Sequence, residues 1–334
     1  MKAVIFDECG EPANVLKLRD SEHRDPGDGE VLVRMLASPV NPSDLLYVRG
    51  EYTLQPQFPA SPGFEGVGVV EKAGSGLRPK IMLGKRVAVL SRFGGNWAER
   101  NTVPATQVIP LSSRLSVNQA ATFFVNPATA YIMTQLVLQI PPGEWLLQSA
   151  ANSTLGRMIV RLGRQLGFKT LCVVRREEQI EALQKAGATK TIVFDAATQA
   201  SEKLVEAVLE ATDGQGVPFA VDPVAGSVGS ALVRCLAKNG RMLAYGSLSG
   251  EPFQFSPREL MTPGASLEGF WLGNFMEKQT LLKKLSLVRK ITKLIVDGTL
   301  ASEIASVFPL EEIEQAIHDA ENSSGKTLIQ IADK

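Results

Sequence analysis

Two neighbouring arginines, Arg175 and Arg176, follow an apolar, β-branched segment and could bind a phosphate group through paired guanidinium hydrogen bonds. The stretch that leads to them, 144–176, begins with an apolar run and continues with small polar residues. Gly156 then opens a segment with apolar residues at helical spacing, and the stretch ends β-branched again. This order predicts strand, tight turn, helix and strand, which together form one βαβ unit. In such a unit the N–H groups of the turn face a phosphate, so we predict a dinucleotide site.

The turn itself departs from the glycine fingerprint of dinucleotide sites. With Gly156 as the third glycine of G-x-G-x-x-G, Ala151 and Ser153 occupy the first two positions, although small residues still let a pyrophosphate approach. The end of the second strand is more informative. An NAD site expects an acidic residue there for the ribose 2′-hydroxyl, whereas Arg175 and Arg176 suit a 2′-phosphate. We therefore predict NADPH rather than NADH; the alternative interpretation is a solvated arginine pair at a strand end.

The elements around this unit predict an α/β fold with two domains. After Arg176, helical and strand patterns alternate as far as Tyr245, which is typical of a doubly wound parallel (Rossmann) sheet. Residues 1 to about 110 instead contain short alternating runs bounded by Gly, Pro and Asp, which indicates a small β-barrel-like domain. The length of 334 residues also predicts roughly two domains.

The composition argues against nucleic acid or a membrane as partner. Lys plus Arg equals Asp plus Glu, 35 each, so the net charge is zero. The longest apolar runs fall well short of the ~20 residues that a membrane-spanning helix needs. The chain opens on a predicted strand rather than a signal peptide, and its three cysteines are scattered. We therefore expect a cytoplasmic location with reduced thiols; a processed mitochondrial protein is the alternative.

A metal is not expected, because the two histidines, His23 and His318, lack ligand partners at metal spacing. A metal-free site can instead donate a proton from a phenol, whose ordinary pKa is about 10. Tyr131 lies in an apolar helical pattern and is predicted to be core, and Tyr245 ends a strand on the predicted cofactor side. Tyr47 and Tyr52 lie at a Pro-rich loop of the first domain, and composition does not choose between them.

Eight segments along the chain resemble the medium-chain dehydrogenase/reductase superfamily. Within it, they are most similar to the zinc-free 2-enoyl thioester reductases of mitochondrial type, which are related to quinone oxidoreductases. The resemblance covers nearly the whole chain, and the segments are NPSDLLYVRGEY (41–52), PGFEGVGVV (62–70), VNPATAY (125–131), ANSTLG (151–156), VVRR (173–176), YGSLSG (245–250), GFWL (269–272) and GKTLI (325–329).

The resemblance implies a GroES-like catalytic domain, formed by residues 1–118 and 264–334, around a Rossmann domain at 119–263. It also implies a homodimer. Where zinc-bearing relatives have a histidine, this chain has Phe64, which agrees with a metal-free site. The implied activity is an NADPH-dependent oxidoreductase acting on a CH–CH bond, with a place in fatty acid metabolism.

The resemblance further assigns roles to individual residues. By the resemblance, Tyr52 is the expected proton donor. Trp271 has a wide, rigid apolar ring and for that reason is expected to orient the acyl chain, although a core tryptophan at a domain seam is the alternative. The expected cofactor-binding residues are Asn126, Asn152, Ser153, Thr154, Leu155, Gly156, Arg175, Arg176, Tyr245, Gly246, Ser247, Leu248, Phe270, Leu272 and Lys326.

The expected reaction is reduction of the C2=C3 double bond of a 2-enoyl thioester carried on coenzyme A or acyl carrier protein. Hydride would reach the β-carbon and a proton the α-carbon. Two alternatives stay open: an NADPH:quinone oxidoreductase or other activated-alkene reductase on the same fold, and a non-catalytic NADPH-binding protein.

Overall fold

The computed structural model describes residues 1–332, which form two compact units. The first comprises Met1–Val125, Thr292–Asp297 and the chain from Ala301 onward, and the second comprises Asn126–Ile291 with Gly298–Leu300. The domain boundaries predicted from the sequence lay after residues 118 and 263. The second unit extends beyond 263 because the strand at Ser266–Gly269 pairs with the preceding strand of its sheet.

Strands from both ends of the chain form the first unit. Its main sheet has seven strands, of which six follow one another in the order β14-β15-β3-β4-β5-β7 while β6 pairs with β3. The strands of this unit are β1 (Lys2–Ile5), β2 (Lys17–Asp20), β3 (Glu30–Pro39), β4 (Glu65–Ala73), β5 (Arg86–Leu90), β6 (Arg100–Pro104), β7 (Val108–Pro110), β14 (Ile304–Pro309) and β15 (Lys326–Gln330). The ten-residue β3 is central, because it pairs with β4, β6 and β15, all antiparallel.

The α-helices that accompany these strands are α1 (Pro12–Val15), α2 (Pro42–Arg49), α3 (Leu77–Met82), α4 (Val117–Ala121) and α13 (Ile313–Asn322). Helix α2 begins with a capping box, in which the backbone N–H of Asn41 donates to Asp44 Oδ2 at 2.9 Å. It ends at Gly50, whose φ of 78° is the left-handed conformation that favours glycine. The backbone conformation at Gly50 therefore defines where the loop that carries Tyr52 begins.

The second unit contains a six-stranded parallel sheet. Its strands are β8 (Trp145–Gln148), β9 (Lys169–Val174), β10 (Lys190–Val193), β11 (Val217–Asp222), β12 (Leu236–Ala244) and β13 (Ser266–Gly269). The spatial order β10-β9-β8-β11-β12-β13 is that of a doubly wound sheet, so the predicted fold class is confirmed. The strand order reverses at β8, and in such sheets ligands bind outside the carboxyl ends of the strands at this point.

The remaining helices follow in the chain as α5 (Val125–Tyr131), α6 (Thr154–Leu166), α7 (Ile180–Ala186), α8 (Ser201–Ala211), α9 (Gly226–Arg234), α10 (Arg258–Met261), α11 (Leu272–Glu277) and α12 (Leu281–Val296). Helix α5 continues as a π-helical segment, Ile132–Val137. Pro127 is the third residue of α5 and lies in its first turn, where a missing N–H leaves no helical hydrogen bond broken. Within residues 1–332, the helices are all too short or too polar to cross a membrane.

Candidate functional site

The tight turn between β8 and α6 has the geometry of an anion-binding turn. Ser153 caps α6, and its Oγ accepts a hydrogen bond from the Gly156 N–H at 3.1 Å. A Cβ atom added to Gly156 would lie 2.4 Å from the carbonyl oxygen of Ala151. Only glycine therefore lets the helix begin this close to the turn, which is the role of the third glycine in the dinucleotide fingerprint. The buried Thr154 and Leu155 contribute the N–H groups of the first helical turn.

Asn152 leaves an unsatisfied acceptor in this turn. Its Oδ1 is buried and has no hydrogen-bond partner among residues 1–332. A buried acceptor without a donor costs free energy, so a ligand that supplies a donor would be stabilised there. Phosphate oxygens at neutral pH are acceptors, whereas sugar hydroxyls donate. The turn thus fits a dinucleotide, with its N–H groups suited to the pyrophosphate and Asn152 Oδ1 suited to a ribose hydroxyl.

Arg175 and Arg176 directly follow β9 at the same sheet edge, and both side chains are exposed. Their backbone N–H groups donate to Gln179 Oε1 at 3.2 and 3.3 Å. The side chain of Gln179 therefore fixes the backbone of the pair, while the guanidinium groups stay accessible to a ligand. The structure places the predicted 2′-phosphate residues beside the strand that follows α6, as a Rossmann unit requires.

A buried carboxylate, Asp222, organises the next part of this edge and was not predicted from the sequence. It ends β11 and accepts hydrogen bonds from Ser149 Oγ and from the backbone N–H groups of Val224 and Ala225, the latter at 2.7 Å. Burial raises the pKa of Asp222, and these hydrogen bonds oppose the shift. The only signal in the sequence was an aspartate at a strand end followed by proline. Asp222 thus joins β8 to the turn after β11.

The predicted segment 245–248 packs on that turn. The N–H of Tyr245 donates to Asp222 O at 2.9 Å, and the N–H of Leu248 donates to Pro223 O at 2.9 Å. Burial, with the nearby charge of Asp222, raises the pKa of Tyr245 far above that of an ordinary phenol. The phenol of Tyr245 is therefore neutral at physiological pH, and it acts as a hydrogen-bond donor or acceptor rather than as a charged group. Gly246, Ser247 and Leu248 are exposed beyond it.

The other predicted contacts of the second unit lie on neighbouring elements. Phe270 and Trp271 follow β13, Leu272 begins α11, and all three are partly buried. The Phe270 ring packs on Phe275 with centroids 6.2 Å apart. Asn126 is the second residue of α5 and is also partly buried. Strand β13 ends at Gly269, and Trp271, which has an extended backbone, caps α11.

In the first unit the structure separates the two candidate tyrosines. Tyr47 is 1% exposed, lies in the core, and donates only a long hydrogen bond of 3.4 Å to Phe93 O. Tyr52 lies in the loop after α2 and is partly buried, with its ring 5.2 Å from that of Phe64. Phe64 also packs on Tyr47, with centroids 5.1 Å apart. Of the two phenols, Tyr52 is the more accessible to a ligand.

Lys326 lies in a buried polar cluster, which we call the Asn41 cluster and which comprises Asn41, Asp44, Glu65 and Lys326. Lys326 is 5% exposed, and its Nζ donates to Asn41 Oδ1 at 2.6 Å. Asn41 Nδ2 donates to Glu65 Oε1 at 3.2 Å. The predicted cofactor contact at Lys326 stays a prediction; in this structure its ammonium is directed into the first unit.

Burial sets the ionisation of the Asn41 cluster. It raises the pKa of Asp44 to about 7 against the backbone hydrogen bonds that it accepts, and it raises the pKa of Glu65 as well. Burial also lowers the pKa of Lys326, while the two carboxylates oppose that shift. Within residues 1–332 there is no group of three or more His, Cys, Asp or Glu side chains placed to hold a metal ion.

Two family models match this chain. The model described as alcohol dehydrogenase GroES-like domain matches residues 27–113, and the model described as zinc-binding dehydrogenase matches residues 154–286. The first covers most strands of the first unit, and the second covers the Rossmann sheet from α6 onward.

Relatives similar over nearly the whole chain carry two kinds of name. The mitochondrial enoyl-[acyl-carrier-protein] reductases of Caenorhabditis elegans and Homo sapiens are each 30% identical to it, over 95% of this chain and 90% and 84% of theirs. The crystal structure of Escherichia coli quinone oxidoreductase complexed with NADPH matches with a TM-score of 0.88 at 25% identity, over 99% of this chain and 100% of that one. The chain belongs to the medium-chain dehydrogenase/reductase superfamily of oxidoreductases.

Proposed function

We propose that this protein binds NADPH and reduces the C2=C3 double bond of a 2-enoyl thioester. The observation that carries the proposal is the loop after α2, in which Tyr52 is only partly buried beside Phe64, whereas Tyr47 lies in the core. The resemblance puts Phe64 where zinc-bearing relatives have a histidine. The 30% identity to enoyl reductases over 95% of the chain supports the same reaction.

The second unit holds the cofactor in this proposal. The turn at 151–156 receives the pyrophosphate, and Arg175 and Arg176 form charge-assisted hydrogen bonds with the 2′-phosphate. Tyr245 to Leu248, Asn126, Phe270 and Leu272 line the nicotinamide in this proposal, and the cofactor contact expected at Lys326 would require its ammonium to leave Asn41. When bound, NADPH supplies a hydride to an electron-poor carbon.

The chain's own residues handle the charge and the proton. As the β-carbon of the substrate is reduced, negative charge grows on the thioester oxygen, and hydrogen-bond donors near the nicotinamide stabilise it. Tyr52 donates the proton to the α-carbon, a step typically worth about 10²- to 10⁴-fold in rate. Trp271 provides a rigid apolar wall that orients the acyl chain.

A second candidate is NADPH:quinone reduction, favoured by the similarity to the E. coli quinone oxidoreductase structure. A quinone takes its protons from water and needs no dedicated phenol, so the two candidates differ in their dependence on Tyr52. Measuring NADPH oxidation with crotonyl-CoA and with a benzoquinone separates them. Tight NADPH binding without oxidation by either acceptor would favour a non-catalytic binding protein.

The test of the proton donor is Tyr52→Phe. We expect NADPH affinity to stay within about twofold of the unmodified protein, and turnover with crotonyl-CoA to fall by about 10²-fold or more, because the variant lacks only the donor. Tyr47→Phe is the matched control, since it removes the same atom from a buried ring that makes one long hydrogen bond. An unchanged turnover in Tyr52→Phe would exclude Tyr52 as the donor.

Four further features stay proposals. The thioester handle is either coenzyme A or acyl carrier protein, and the reaction proceeds without a metal. The protein acts as a homodimer, and it works in the cytoplasm, with a processed mitochondrial location as the alternative. The balanced charge of the chain supports a small-molecule substrate rather than nucleic acid.

A further inference from the structure

The carboxylate of Glu65 lies entirely inside the protein, at 2% exposure, in the first residue of β4. Charged side chains are almost never buried this deeply unless they are paired or hydrogen-bonded. The partners of Glu65 therefore indicate what it does.

One oxygen of Glu65 contacts the backbone where α5 begins. Its Oε2 accepts hydrogen bonds from the N–H of Phe124 at 3.3 Å and of Val125 at 3.0 Å. Val125 is the first residue of α5. The first N–H groups of a helix have no partner within the helix and carry partial positive charge, so a carboxylate there is favourable. Glu65 thus serves as a cap that is remote in sequence, about sixty residues before the helix that it stabilises.

The other oxygen connects Glu65 to the rest of the Asn41 cluster. Its Oε1 accepts from Asn41 Nδ2 at 3.2 Å, and Asn41 Oδ1 accepts from Lys326 Nζ at 2.6 Å. The Asn41 amide is therefore satisfied on both sides, and the Lys326 ammonium balances the negative charge. Asn41 itself is held by its backbone N–H bond to Asp44. A group fixed by this many hydrogen bonds holds its contacts in one geometry.

We infer that Glu65 is a positioning residue, which fixes the start of α5 and thereby presents Asn126 to the nicotinamide end of the cofactor. Asn126 directly follows Val125, so the two hydrogen bonds to Glu65 Oε2 fix the backbone immediately before it. This inference rests on the proposed function, because it takes Asn126 as a cofactor contact. In this inference the segments 41–44, 62–66 and 124–127 together position the start of α5.

The test compares Glu65→Gln with Glu71→Gln. Glu71 lies on the same strand, but it is exposed and pairs with Arg34 and Arg100 on the surface. Glu65→Gln keeps the size of the side chain but removes its charge and one acceptor. NADPH affinity is measured directly by cofactor fluorescence, and kcat and KM are measured with crotonyl-CoA. Thermal unfolding shows that each variant is folded at the assay temperature.

For Glu65→Gln we expect the NADPH Kd to rise about tenfold and kcat to fall about as much, since displacements near 1 Å can cost about 100-fold. For Glu71→Gln both are expected to stay within about twofold. A role in stability alone would lower the melting temperature of Glu65→Gln while Kd and kcat of the folded protein stayed unchanged, and that result would overturn the inference.

Val125→Pro provides an independent variant if Glu65→Gln does not fold. Proline is well accepted as the first residue of a helix, and it removes one of the two N–H groups that donate to Glu65 Oε2, while that of Phe124 remains. The same changes in Kd and kcat are expected, and unchanged values would again refute the positioning role. Failure of the unmodified protein to bind NADPH would instead refute the proposed function, so the two outcomes are distinguishable.

Discussion

Gly156→Ala tests whether the turn at 151–156 binds the pyrophosphate, because the structure shows how far the added Cβ atom would displace the backbone of this turn. The added Cβ would lie 2.4 Å from Ala151 O, and 2.7 and 2.8 Å from the carbonyl carbon and Cα of the same residue. An ordinary contact begins at 3.4 Å. The turn and the helix must therefore move apart by about 1 Å, the difference between 3.4 and 2.4 Å. These atoms belong to the backbone, so no side-chain rotation can relieve the contact.

The effect on cofactor affinity follows from this displacement. A backbone N–H that moves by about 1 Å no longer reaches a phosphate oxygen at hydrogen-bond distance. A hydrogen bond to a charged group contributes about 1.5–3 kcal/mol, and 1.4 kcal/mol is a factor of ten in Kd. We expect the Kd of NADPH to rise by about 10- to 100-fold. NADH should be weakened equally, because both cofactors share the pyrophosphate.

The effect on stability is expected to be smaller. Overpacking costs about 1–3 kcal/mol, whereas replacing glycine by alanine in a helix regains about 1 kcal/mol. The variant should therefore fold. Fluorescence titration with NADPH and NADH is the assay, and Gly27→Ala is the matched control because its nearest contact would be an ordinary 3.4 Å to the Glu30 side chain. A Kd for NADPH within threefold of the unmodified protein would refute the assignment of the pyrophosphate to this turn.

Two further predictions concern charged side chains. Replacing Arg175 and Arg176 with alanine should raise the KM for NADPH at least about tenfold more than the KM for NADH, since only NADPH carries the 2′-phosphate; equal effects in steady-state kinetics would contradict that role. Burial raises the pKa of Asp44 in the folded protein from 3.8 to about 7, so the folded state binds a proton on Asp44 more tightly than the unfolded state does. The resulting stabilisation of the folded state is fully present below pH 4 and is lost as the pH rises through 7. In urea titrations, the free energy of unfolding of the unmodified protein should therefore fall by up to about 4 kcal/mol over this pH range relative to that of Asp44→Asn. Glu65 and Lys326 titrate beside this position in both proteins. Parallel dependence of the two unfolding free energies on pH would argue against a buried, protonated Asp44.

The nucleotide-binding unit could be predicted from the sequence because its signals are local. The strand, turn, helix and strand around Gly156 follow from hydrophobic period and punctuation within 33 residues. The structure has β8, α6 and β9 in that order, and Arg175 follows β9 as predicted.

The features that sequence reasoning missed depend on contacts between distant segments. The pairing of β13 with β12 joins residues 266–269 to the parallel sheet, although they lie after residue 263, and no local residue pattern reveals this pairing. The inward direction of the Lys326 ammonium follows from Asn41, which precedes it by 285 residues. Asp222 and Glu65 could not be distinguished from surface carboxylates, because their partners are mostly backbone N–H groups that no residue pattern reveals.

The placement of β15 has a consequence for how the protein is made. This strand lies between β14 and β3, so the central strand of the first unit lacks one neighbour until residue 330 has left the ribosome. The residues of the Rossmann sheet, by contrast, form a continuous stretch that is complete some sixty residues earlier. During translation the Rossmann sheet can therefore fold before the sheet of the first unit is complete. Until then the first unit has an unpaired strand edge, which can associate with other nascent chains.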